Sequence, residues 1–126
     1  VRNSFNEAIE IIEELNDKTL RGVFHCFTGN IKDAKRIINL EDFYLGIGGV
    51  LTFKNSGLDK TIAKIDLKHL VLETDAPYLA PVPFRGKRNE SKYILNIAKK
   101  LAEIHSISIQ KVADITTKNA KNLFEI

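Results

Sequence analysis

Three side chains able to hold a cation, His25, Glu73 and Asp75, close two short apolar runs of this 126-residue chain. His25 lies in Gly22-Val23-Phe24-His25-Cys26-Phe27, and the two carboxylates end His69-Leu70-Val71-Leu72-Glu73-Thr74-Asp75. If both runs are strands, alternation puts Val23, His25 and Phe27 on one face of the first. It likewise puts Val71, Glu73 and Asp75 on one face of the second. Two carboxylates on one face repel each other when ionised and dry, and a nearby cation relieves that repulsion. A histidine and a carboxylate from separate strands suit a zinc- or manganese-like ion. A plainer reading stands beside this one. His25 can be a hydrogen-bonded packing residue, Glu73 half of a buried ion pair with a lysine, and Asp75 before Ala76-Pro77 the start of a turn.

A second constellation is basic. In Arg85-Gly86-Lys87-Arg88, arginine can grip a phosphate through two parallel hydrogen bonds and glycine lets the backbone approach it. The same four residues can equally form a solvated loop. Cys26 follows His25 directly, so alternation sends it to the opposite face. That argues against a Cys/His nucleophilic pair and for a small buried residue.

The elements that must position these groups follow from apolar periodicity. Ser4 and Glu7 are spaced as a capping box, and Phe5, Ala8, Ile9, Ile12 and Leu15 then form a helical stripe ending at Asn16-Asp17. The run 22–27 reads as a buried strand closed by Gly29-Asn30. Asn30 can cap a helix bearing Ile31, Ala34, Ile37 and Ile38. Phe43 to Gly48 reads as a second strand, 59–64 as a weaker helix and 69–74 as a third strand. All three prolines fall between Pro77 and Pro83, which marks a loop. A long helix follows, with Tyr93, Ile94, Ile97, Ala98, Leu101 and Ile104 as its stripe. Ser108 and Thr117 can cap two short closing helices. Helices alternating with strands predict a parallel α/β sheet, whose functional residues gather at the strands' C-terminal ends. Pattern alone fits a doubly wound sheet and part of a barrel equally. Gly46-Ile47-Gly48-Gly49 lacks the spacing of a dinucleotide fingerprint.

Bulk properties set the outer bounds. With 44% hydrophobic residues the chain can build a core and is not compositionally disordered. The sequence shows no targeting pattern and begins at Val1, as expected of a processed, excised or incomplete chain. No apolar run is long enough to cross a bilayer. A single cysteine excludes an internal disulfide and fits a reducing, cytoplasmic setting. The net charge of +3 is compatible with a polyanionic partner without requiring one.

The same residues resemble the TatD family of metal-dependent deoxyribonucleases. The segment Gly22 to Gly29 looks like its histidine-bearing strand. Gly46-Ile47-Gly48-Gly49 with Thr52-Phe53-Lys54 looks like its next strand and turn. The most specific match is Leu72-Glu73-Thr74-Asp75-Ala76-Pro77-Tyr78-Leu79-Ala80-Pro81. Arg85-Gly86-Lys87-Arg88-Asn89 follows in place, and Ile115 to Ala120 with Leu123-Phe124 resembles the closing helix. Two departures are Phe84, where a polar residue is frequent, and Ser91, where a proline is common.

The resemblance implies the C-terminal half of a (β/α)₈ TIM barrel, since such barrels take about 250 residues. Residues 1–126 would be one partial domain, from the end of strand five through strand eight and the closing helices. Val1 to Ser4 look like the residues just after the fifth strand's histidine. The family's His-x-His pair, bridging glutamate and strand-five histidine are absent from this sequence. His25 and Asp75 would be metal ligands, Asp75 would also orient or deprotonate the attacking water, and Glu73 would support the site. Arg85, Lys87 and Arg88 would bind substrate phosphate. The cofactor would be a divalent magnesium, manganese or zinc ion, and the substrate DNA. Unpaired edges of a half barrel would invite association.

Overall fold

The computed structural model describes residues 4–126; the resemblance of Val1, Arg2 and Asn3 to the end of a fifth strand lies outside the described residues. Helix α1 spans Phe5–Leu15, strand β1 Gly22–Phe24, α2 Ile31–Ile38 and β2 Phe43–Ile47. Helix α3 (Leu58–Ile62) and strand β3 (Leu70–Leu72) follow, and α4 (Ile94–His105) and α5 (Ile109–Phe124) close the chain. The three strands are parallel in the order β1-β2-β3, with Phe24 opposite Leu45 and Leu45 opposite Leu70. The order never reverses, so no topological switch point lies within the sheet.

One face of the sheet carries Phe24, Leu45, Ile47 and Leu70, all buried. Ala34 and Ile37 of α2, Ile62 of α3, Ile97 and Leu101 of α4 and Val112 of α5 complete that core. The Phe5 ring of α1 meets Phe24 edge-on at 5.6 Å. The opposite face carries Val23, Tyr44, Gly46 and Val71. Val23 is 37% exposed there. Among the described residues, no helix is long and apolar enough to cross a membrane.

Several local expectations need correction. Strand β1 stops at Phe24, because Cys26 takes a left-handed φ of 51° and breaks the alternation. Phe27 therefore turns into the core beside Phe24 instead of sharing a face with His25, and Cys26 is only half-buried. Strand β3 is also shorter than the run 69–74. Asp66 caps a 3-10 turn over Leu67–His69 by accepting from the Lys68 N–H at 2.9 Å, and Leu72 is the last paired residue. Ser4 stands at the start of α1 with ψ 24°, its carbonyl accepts from the Ala8 N–H at 3.0 Å, and its side chain does not cap the helix. An N-cap side chain needs extended backbone to reach the first free N–H groups. Ser108 does cap α5, accepting from the Lys111 N–H at 3.1 Å. Thr117 starts nothing, because α5 runs unbroken from Ile109 to Phe124. Thr116 stays helical by donating its hydroxyl to the Val112 carbonyl at 2.8 Å.

Candidate active site

The C-terminal ends of β1 and β3 bring His25 and Glu73 together. His25 Nε2 lies 3.2 Å from Glu73 Oε2, with the imidazole side chain 54% exposed and the carboxylate side chain 10% exposed. The Cys26 N–H donates to the same Oε2 at 2.9 Å. Glu73 thus joins two strand ends separated in the sheet by β2. Glycines on β2 and just after it make this possible. A Cβ at Gly46 would collide with Glu73 Oε2, and one at Gly48 would lie 3.3 Å from Oε1. The carboxylate therefore lies across a groove that only side-chain-free residues leave open. Backbone hydrogen bonds fix the strand ends around it, from Glu73 N to the Ile47 carbonyl at 3.0 Å and from Phe27 N to the Gly46 carbonyl at 2.9 Å.

Burial raises the Glu73 pKa above the ordinary carboxylate value, opposed by the Cys26 N–H and by His25, while the charge of Asp75 adds to the rise. Glu73 Oε1 is buried with no hydrogen-bond partner among the described residues. A buried acceptor in that state calls for a cation or a donor.

Asp75 lies two residues further on, past the end of β3, with a left-handed φ of 53°. It lines a cavity of about 520 Å³ together with Phe53, Tyr78, Arg85 and Lys87. His25 lines a different, smaller cavity of about 170 Å³ against Phe24 and Phe27. Glu73 is the link between the two sides, in contact with His25 and within electrostatic reach of Asp75. Arg85 and Lys87 border the Asp75 cavity, and Arg88 is not part of its lining. The Arg85 guanidinium sits 4.0 Å from the centre of the Phe53 ring, which holds it at the cavity edge.

The loop that carries Asp75 is anchored at several points. The Val82 N–H donates to Thr52 Oγ1 at 2.8 Å, and that hydroxyl donates to the Gly49 carbonyl at 2.7 Å. At Gly49 the backbone of Leu79 approaches so closely that a Cβ would collide with its carbonyl oxygen. Asn89 donates its side-chain amide to the carbonyls of Thr74 and Tyr78. Sequence reasoning gave no role to Asn89, Thr52 or these glycines. The signals that could have found them were their places in the motifs that resemble the TatD family and the cluster of glycines at the end of a strand, where backbone or a ligand approaches closely.

The donor kinds fit a divalent ion of the zinc or manganese type, and the partnerless Glu73 Oε1 marks where the site lacks positive charge. Among the described residues no three His, Cys, Asp or Glu side chains group closely enough to hold an ion by themselves. His25, Glu73 and Asp75 thus fit as part of a metal shell.

Comparison with known proteins bears on what this shell belongs to. The chain is 40% identical over 126 residues to YabD, an uncharacterized metal-dependent hydrolase of Bacillus subtilis, covering 99% of this chain and 49% of that one. It is 34% identical to YcfH, an uncharacterized metal-dependent hydrolase of Escherichia coli, covering 99% of this chain and 47% of that one. The chain spans about half the length of the curated relatives it matches. Its fold superimposes with a TM-score of 0.90, at 27% identity, on the crystal structure of YjjV, a TatD homolog of Escherichia coli K12, covering 99% of this chain and 48% of that one. The three-stranded parallel sheet and its helices are therefore half of a TatD-type TIM barrel, which decides between the two α/β readings of the pattern. The profile described as TatD related DNase matches residues 1–125, and this chain belongs to that family.

Proposed function

We propose that the intact protein is a metal-dependent deoxyribonuclease that hydrolyses DNA phosphodiester bonds, with β1, β2 and β3 as strands six, seven and eight of its barrel. The observation that carries this reading is the His25–Glu73 pair with its partnerless Glu73 Oε1, two residues from Asp75, in a chain of the TatD family. His25 and Asp75 would hold the ion, together with ligands from outside the described residues. Such an ion, when bound, polarises the phosphate and lowers the pKa of a coordinated water.

This chain's own residues would do the rest. Glu73 holds the imidazole of His25 in place through Nε2, as carboxylates commonly do for ligand histidines. Asp75 accepts a proton from the attacking water. Arg85 and Lys87, at the edge of the Asp75 cavity, neutralise the phosphate backbone, with Arg88 reaching it from the same loop. The test is cleavage of DNA by the intact protein with magnesium, manganese or zinc. Metal-dependent cleavage lost in Asp75→Asn is expected, and undiminished cleavage in that variant would remove Asp75 from the mechanism. A companion assay with other phosphoesters and with small esters or amides identifies the substrate class. Activity on those alone would replace the DNA reading.

One observation favours a second reading for residues 1–126 taken alone. The described residues offer no three-ligand group, whereas a catalytic zinc normally keeps three protein ligands and an open position. The isolated segment would then be a catalytically silent folding or interaction module. Robust cleavage by the segment, abolished in Asp75→Asn, would overturn that.

A further inference from the structure

Asn89 sits between exposed Arg88 and Glu90, yet it is itself only 2% exposed. Its Nδ2 donates to the Thr74 carbonyl and, at 2.7 Å, to the Tyr78 carbonyl. Its backbone N–H donates to the Pro77 carbonyl at 2.9 Å. All three acceptors belong to residues 74–78, and Asp75 lies inside that span. Asp75 also closes its own turn, since its carbonyl accepts from the Tyr78 N–H at 2.9 Å. A side chain at φ 53° is in a sparsely populated region and stays there only when its surroundings over-determine it. Asn89 supplies that over-determination from both sides of Asp75.

The amide has a drawback that sharpens the point. Asn89 Oδ1 is buried and has no hydrogen-bond partner among the described residues. Stranding an acceptor is unfavourable, and an aliphatic side chain would avoid it. An aliphatic side chain would also leave the Thr74 and Tyr78 carbonyls without their donor. What the amide accomplishes is therefore the grip on the turn.

We propose that Asn89 is a positioning residue for Asp75, fixing the turn that aims its carboxylate and tying that turn to the loop carrying Arg85 and Lys87. This rests on the reading of Asp75 as a metal ligand. The alternative is a general packing role, and a second buried asparagine separates the two. Asn119 likewise donates its amide to two backbone carbonyls, of Leu67 and Leu70, but at the far end of β3, away from the turn. The experiment measures Mn²⁺ affinity by calorimetry, and kcat and KM on DNA, for the intact wild-type protein, Asn89→Ala and Asn119→Ala. Loss of an outer-shell partner typically weakens metal binding by about 10–100-fold, and Asn89→Ala is expected to do so with a fall in kcat. Asn119→Ala is expected to lose stability and keep its Mn²⁺ affinity. If Asn89→Ala does not fold, Asn89→Ser, with a shorter donor, is measured in its place. An Asn89 variant that binds Mn²⁺ as the wild type does, or that loses no more affinity than Asn119→Ala, overturns the proposal alone. A wild-type protein that binds no Mn²⁺ overturns the metal reading and this proposal with it.

Discussion

Replacing Gly46 by alanine tests whether the β2 groove places Glu73. Gly46 is in the middle strand, paired to both neighbours, and its carbonyl accepts from Phe27 N, so the backbone has little room to retreat. The new Cβ would meet Glu73 Oε2 first, with Val23 Cγ2 at 3.2 Å and Glu73 Cδ at 3.3 Å. The carboxylate is the end of a flexible side chain, so it is what moves. In moving it loses the Cys26 N–H and its contact with His25. A hydrogen bond to a charged group contributes roughly 1.5–3 kcal/mol. Glycine to alanine returns about 0.4–1 kcal/mol through the unfolded chain. The expected net loss is about 0.5–2.6 kcal/mol, the difference of those two ranges. Urea denaturation of Gly46→Ala, Glu73→Ala and the double variant isolates the coupling. The contact with Val23 is common to both backgrounds and cancels. In Glu73→Ala the glycine substitution should be neutral or slightly stabilising. An equal penalty in both backgrounds would refute the argument that the groove exists for this carboxylate.

Three further outcomes follow from the same geometry. Gly49→Ala should be more damaging than Gly46→Ala, because its Cβ meets the Leu79 carbonyl and, at 3.1 Å, Pro81 N, both backbone atoms. A loss above about 2 kcal/mol in denaturation, with reduced activity, is expected from such overpacking, and a fully stable variant would contradict it. Asn119→Ala takes the side-chain donor from the Leu70 carbonyl and leaves the Leu67 carbonyl with the Leu70 N–H alone, and should cost about 1–3 kcal/mol for one stranded group, read from the denaturation midpoint. Arg85→Ala in the intact protein should weaken DNA binding and reduce the slope of log affinity against log salt by about 0.9, and an unchanged slope would mean that Arg85 touches no phosphate.

Much of this was legible in the sequence because it is local. Helix stripes such as Ile31, Ala34, Ile37 and Ile38 and the three apolar strand runs report their own periodicity. The strand runs also put His25, Glu73 and Asp75 near strand ends before any contact was known. What escaped depends on contacts made across the fold. The run from Gly22 to Phe27 gives no warning that the backbone turns left-handed at Cys26 and sends Phe27 into the core. Thr117 reads as the cap of a second short helix because threonine hydroxyls can satisfy free helix N–H groups, but α5 runs unbroken through it and the neighbouring Thr116 hydroxyl donates to the Val112 carbonyl. No apolar periodicity marks Asn89 as buried, and its burial depends on acceptors 11 and 15 residues earlier in the loop. Glu73 reads as a supporting group, whereas its position between His25 and the charge of Asp75 makes it the centre of the site.

The hydrogen bonds from Asn119 to Leu67 and Leu70 span 52 and 49 residues. On a ribosome, β1, β2 and β3 can pair as they emerge, since each strand's partner is the strand made just before it. The Leu70 carbonyl at the start of β3 must wait for this donor until α5 has been synthesised. A chain cut between α4 and residue 119 would therefore leave that carbonyl without its Asn119 donor. Helix α5 thus completes the hydrogen bonding at the base of the strand whose other end leads to Glu73 and Asp75.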